Sequence, residues 1–132
     1  MSLMSLPSPA AISSSMVLKY LITNSEAEEP KLMTDLKNIS DTLKDAGIET
    51  APSFIKDPYI QFWSAPISGA LSDLVYLNII NVKTGTVPSI AIIDLEEAKR
   101  VYENVLNDFV ASDFNIDNLL VSALARLKSS VR

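Results

Sequence analysis

Leu74-Val75-Tyr76-Leu77-Asn78-Ile79-Ile80-Asn81-Val82, followed by Lys83-Thr84-Gly85-Thr86-Val87, is the stretch on which the reading of the fold turns. Apolar residues fall on both alternating faces of its first nine positions, which predicts a central β-strand covered on both sides. The residues after Val82 predict a hairpin, with Gly85 supplying the left-handed position of a short turn. The returning strand, Thr86 to Ile93, contains Pro88. A proline has no N–H to give a ladder, so this strand is expected on an edge or at a bulge. Upstream, Tyr59 to Ala65 (YIQFWSA) lies between Pro58 and Pro66 and predicts a further short strand.

Helices are expected on either side of these strands. Acidic residues Glu26, Glu28 and Glu29 precede Pro30, a combination suited to the unpaired amides and positive end of a helix N-terminus. Leu32, Leu36, Ile39 and Leu43 then form one apolar stripe, and Gly47 followed by Ile48 marks the stop. A shorter helix is expected over Ser15 to Ile22. Beyond the strands, Asp94-Leu95-Glu96-Glu97 reads as a capping box. It opens a helix whose apolar face carries Ala98, Val101, Tyr102, Val105, Leu106 and Phe109. A last helix starts near Asn115 or Asp117, with Ile116, Leu120, Leu124, Leu127 and Val131 on one side. The order helix, helix, three strands, helix, helix predicts an α+β fold, a small antiparallel sheet of about three strands packed against N- and C-terminal helix pairs. Residues 16–132 are expected to form this single domain. Residues 1–15, rich in Ser and Pro, read as a flexible leader, and the doubled start Met1-Ser2-Leu3 before Met4-Ser5-Leu6 reads as an expression scar.

Composition removes whole classes of function. With 132 residues, 48% hydrophobic and 20% charged, the chain is long and apolar enough for one core. It contains no His and no Cys, so imidazole catalysis, thiol chemistry and metal sites built on those ligands are excluded. The absence of Cys points to a reducing, cytoplasmic setting. A net charge of −5 repels phosphate backbones and makes nucleic acid an unfavourable partner. No apolar run approaches the roughly 18 residues of a membrane span, so no membrane partner is expected. Before Glu26 the only charge is Lys19, which lacks the basic pattern of a targeting peptide.

Motifs with chemistry in them all have a plainer reading. Ser53-Phe54-Ile55-Lys56 and Lys83-Thr84-Gly85 match two signatures of penicillin-recognising serine enzymes, but the third is missing, since Ser72-Asp73 is followed by Leu74. Lys83-Thr84-Gly85 also falls where a turn is needed. A general Ser–Lys hydrolase built on Ser53 and Lys56 needs a buried lysine and an oxyanion hole. Asp108, Asp113 and Asp117 lack the alternating ligands and glycine of a calcium loop, and Asp113 and Asp117 suit the N-cap and first turn of the last helix. Gly47, Gly69 and Gly85 are isolated, so no phosphate-cradling loop exists. Asn38-Ile39-Ser40 matches a glycosylation acceptor, but Ile39 belongs to a core stripe.

What remains is a surface. Phe54, Tyr59, Phe62 and Trp63 cluster, and strand alternation sets Tyr59, Gln61 and Trp63 opposite Ile60 and Phe62. Tyr76 is expected as their neighbour across the sheet. Tyr59, Gln61, Trp63 and Tyr76 are therefore the candidate partner-binding residues; no catalytic, cofactor or metal residue is assigned. The expected function is a non-catalytic, self-associating protein-interaction module. Two alternatives stand beside it. One is a ligand binder or enzyme with a pocket beside the sheet converging on Asp73, Asp94 or Tyr76. The other is a nucleic-acid accessory using Lys99, Arg100, Arg126, Lys128 and Arg132.

Overall fold

Helix α1 (Pro9–Asn24) runs through the middle of the molecule, and its position explains its unusual composition. In the computed structural model, which describes residues 8–109 and 115–130, this helix packs against both a later helix, α3 (Ala65–Tyr76), and α4 (Leu95–Leu106). Ile12, Met16, Val17, Leu18 and Leu21 are buried around its circumference. A helix covered on several sides needs apolar residues all round and small ones where neighbours come close. Ala11, Ser13 and Ser15, all buried, supply the latter, and Ser15 returns its hydroxyl to the Ile12 carbonyl at 2.8 Å. Ser8 caps the first turn, accepting from Ala11 N–H at 3.1 Å, and Pro9 stands where its missing N–H costs nothing. The expected helix over Ser15 to Ile22 thus begins at Pro9, and Ala11, Ile12, Ser13 and Ser15, expected in a flexible leader, are buried in it. Residues 1–7, with the doubled start, lie outside the described residues.

The fold is α+β with an antiparallel sheet of three strands, in the order β1 (Glu26–Glu28), β5 (Ser89–Ile92), β4 (Ile80–Lys83). One face presents Ala27, Ile90, Val82, Ile80 and Ile92, the other Glu26, Glu28, Asn81 and Lys83. Two of these strands differ from expectation. β5 is central rather than an edge strand, because Pro88 lies just outside its ladder and serves it only as an acceptor, taking Glu29 N–H at 2.9 Å. β1 comes from the acidic segment expected only to lead into the next helix. Gly85, in the turn between β4 and β5, does not take a left-handed conformation; a Cβ there lies 3.8 Å from the Val87 carbonyl oxygen, an ordinary contact.

The largest correction concerns Leu74 to Val82. This stretch is not one strand but the end of α3, a turn, and β4. Ser64 caps α3 by accepting from Ile67 N–H at 3.3 Å, Pro66 fits its first turn, and Ile67, Ala70, Leu71 and Leu74 fall on one helical face. Asn78, at φ 60°, then stops the helix. Helix α2 (Glu29–Asp45) follows its expected stripe and stops at Gly47, at φ 101°. In α4, Asp94 accepts from the amides of Glu96 and Glu97 at 3.0 and 3.3 Å, while the Glu97 carboxylate pairs with Arg100 rather than reaching back. α5 (Ile116–Ser130) is capped by Asn115, which accepts from Asn118 N–H at 3.0 Å, and packs on α2 and α1. Asp113 and Val131 lie outside the described residues.

Candidate functional site

The aromatic cluster sits on a hairpin of its own, apart from the main sheet. Strands β2 (Ile55–Asp57) and β3 (Gln61–Trp63) pair antiparallel, with Ile55 opposite Trp63. Asp57 closes the turn by accepting from the amides of Tyr59 and Ile60 at 2.8 and 3.1 Å. Gln61, at φ 72°, bends the chain back, and its side-chain oxygen accepts from the Thr34 hydroxyl of α2 at 3.2 Å. Ile60 and Phe62 are half-buried, and the Lys37 ammonium of α2 stands 5.3 Å from the centre of the Phe62 ring. Tyr59 is 91% exposed at the turn, and Trp63 is 36% exposed beside Ile55.

Tyr76 is not part of this group. It is 86% exposed in the last turn of α3, whose first turn directly follows Trp63. Eleven residues of helical rise, about 16 Å, separate the two ends. The expected contact across the sheet is absent because Leu74 to Tyr76 is helical. Of the four candidates, Tyr59, Gln61 and Trp63 lie on one hairpin, and Tyr76 stands apart from them at the end of α3. Leu77 beside it is exposed, as are Ile93 and Leu95, where Ile93 N–H donates to the Ile79 carbonyl at 3.1 Å.

Two partly buried polar pairs were not legible in the sequence. The Tyr20 hydroxyl of α1 donates to Asp35 of α2 at 2.5 Å, and Lys31 reaches the same carboxylate oxygen at 3.0 Å. The Tyr102 hydroxyl of α4 donates to Asp117 of α5 at 2.6 Å. Lys19 of α1 approaches that carboxylate at 3.4 Å and lies 5.2 Å from the centre of the Tyr102 ring. Burial, reinforced by the adjacent carboxylate, pushes both phenols well above their ordinary range. They stay protonated at neutral pH, so they hold helices together as donors and cannot serve as bases. A cleft of about 240 Å³ opens beside the first pair, lined by Asn24, Lys31, Leu124 and Lys128 as well as Tyr20 and Asp35. A second, open groove of about 300 Å³ lies along α1 and α5, lined by Lys19, Thr23, Val121, Leu124, Ala125 and Lys128.

The other chemical candidates are dispersed. Asp94 is a helix cap, Tyr76 stands in solvent, and Asp73 lines an open groove between α1 and α3, so the three do not converge on one pocket. Ser53 and Lys56 are both exposed, so the buried lysine that a Ser–Lys hydrolase needs is not found at this pair. Ser40 of the Asn38-Ile39-Ser40 match is buried and donates to the Pro52 carbonyl at 2.5 Å. Lys99 and Arg100 pair with Glu96 and Glu97 on their own helix. Among the described residues no acidic cluster suited to a metal ion occurs, and no helix is long and apolar enough to cross a membrane. Compared with known proteins, the chain matches no family model, no curated protein and no solved structure.

Proposed function

We propose that the protein is a non-catalytic interaction module, an adaptor, chaperone-like or regulatory subunit, that also associates with copies of itself. The observation that carries this reading is the outward face of the β2–β3 hairpin, where Tyr59, Trp63 and Ile55 stand in solvent. Apolar area covered by a partner contributes roughly 25 cal/mol per Å², and Trp and Tyr are the residues that most often anchor protein interfaces. The remaining chemistry supports the same view. The carboxylates best placed for catalysis are already engaged, Asp35 and Asp117 by phenols and Asp94 by backbone amides. A cysteine-free chain also suits a cytoplasmic setting. The test is recovery of partners from the native cell with the full chain as bait, beside a Tyr59→Ser, Trp63→Ser variant. The reading predicts a stoichiometric partner that the variant loses; equal recovery by both, or none by either, contradicts it.

A second reading, as a nucleic-acid accessory, is favoured by the connectivity. Helix, short strand, helix, helix and a two-stranded ribbon, with strand order β1-β5-β4, follow one another as in a winged helix-turn-helix, with the β2–β3 hairpin set between the second and third helices. Charge opposes it. Helix α3, which occupies the groove-reading position, carries Asp73 and no cation, and the β4–β5 ribbon offers only Lys83. Salt-sensitive binding to duplex DNA at low ionic strength supports this second reading, and its absence eliminates it.

A further inference from the structure

We propose that copies of the chain join head to tail, Tyr76 of one copy seating in the open groove between α1 and α5 of the next. This rests on the self-association reading and names its geometry. Tyr76 projects from the last turn of α3, 86% exposed, with Leu77 at 58% beside it. Asp73 lies one turn earlier on the same helical face and has no basic partner among the described residues. This is an apolar knob with a negative rim.

The groove along α1 and α5 is its complement. Its volume of about 300 Å³ admits one aromatic side chain, and its walls are Val121, Leu124 and Ala125. Lys19 and Lys128 stand at its edge, and Lys128 has no acidic partner among the described residues. Val121 is exposed despite its place on the groove wall, so apolar surface is open to a visitor. A knob flanked by Asp73 fits a pocket rimmed by Lys128, whereas two knobs or two pockets repel by like charge. The two surfaces share no residue, so a copy can give its knob and accept another at once. Such a contact is heterologous and leads to chains or closed rings rather than a self-limited dimer.

Two surface variants test it, with sedimentation and circular dichroism read on the full chain. Tyr76→Lys destroys the knob and keeps the pocket; Ala125→Lys fills the pocket and keeps the knob. Each alone loses association about tenfold or more and sediments as a monomer. Mixed, they form a 1:1 heterodimer and nothing larger, since one intact knob meets one intact pocket, and added salt weakens that dimer. A Tyr76→Lys variant that associates like the wild type overturns the geometry while leaving self-association intact. Two monomeric variants that stay monomeric when mixed overturn the head-to-tail contact as well. A wild-type chain that is itself monomeric removes both this inference and the self-association on which it rests.

Discussion

Helices α2 and α3 end on the same hydrogen-bond pattern built from different residues. In α2, Ile48 N–H donates to the Leu43 carbonyl at 3.0 Å and Gly47 N–H to Lys44 at 2.9 Å. In α3, Ile79 N–H donates to Leu74 at 2.9 Å and Asn78 N–H to Val75 at 3.0 Å. Both are Schellman stops, with the left-handed residue followed by a buried isoleucine. The difference is what surrounds them. Gly47 follows a helix with a charged outer face, while Asn78 sits inside an apolar run that also satisfies a strand's alternation. A left-handed asparagine is as firm a stop as a glycine, but it does not announce itself.

The equivalence can be broken most severely with proline. Asp41→Pro in α2 and Ser72→Pro in α3 both place an imino ring inside an exposed helical turn, and each costs about 3 kcal/mol or more. Denaturant unfolding measures this, and an unaffected Ser72→Pro protein returns that stretch to loop and strand. Next in size is an anchor that α2 has and α3 lacks. Tyr20→Phe removes a bond to the Asp35 carboxylate and costs about 1–3 kcal/mol near neutral pH. The raised phenol also sets a pH dependence. Tyr20 keeps its proton in the folded state after the unfolded phenol, with a pKa of about 10, has lost it. Its contribution is complete below that pH and falls as pH rises beyond it. Unfolding free energies from neutral to alkaline pH are therefore shallower for Tyr20→Phe, with Tyr102 supplying the remaining slope; an unchanged slope contradicts the burial of this pair.

Smaller effects separate the two stops themselves. Gly47→Ala forces an L side chain to φ 101° and lowers stability by about 1–2 kcal/mol. Asn78→Gly relieves a milder strain at φ 60° while loosening the unfolded chain, and changes stability by about 0.5 kcal/mol or less. A large loss at Asn78→Gly shows that its side chain has a role beyond the backbone turn.

These contrasts explain how much could be read in advance. α2, α4 and α5 were legible because charged outer faces set off their apolar stripes, and Asp94 announced its cap. α1 and α3 carry one charge each, Lys19 and Asp73, since α1 is enclosed by α3 and α4. Without polar contrast, a Ser- and Pro-rich helix resembles a leader and an apolar helix end resembles a strand. Strand β1 is too short, at 3 residues, to show alternation, and it is defined by its partner β5 rather than by its own sequence. At the candidate surface, Tyr59 and Trp63 are exposed beside half-buried Ile60 and Phe62 as strand alternation suggests, whereas Gln61, at φ 72°, departs from strand geometry and ties back to Thr34 of α2. Tyr76 was misplaced because its neighbours depended on the helix–strand decision. The Tyr20–Asp35 and Tyr102–Asp117 pairs join separate helices, and nothing local in either helix signals them.

The most direct test of the account is the mass of the intact chain in solution. Sedimentation equilibrium on the wild-type protein, followed into tens of micromolar, is predicted to give an average mass that rises above the 14.4 kDa of one chain as concentration increases. A mass that stays at 14.4 kDa throughout contradicts self-association and leaves the exposed aromatic residues to a different partner or to none.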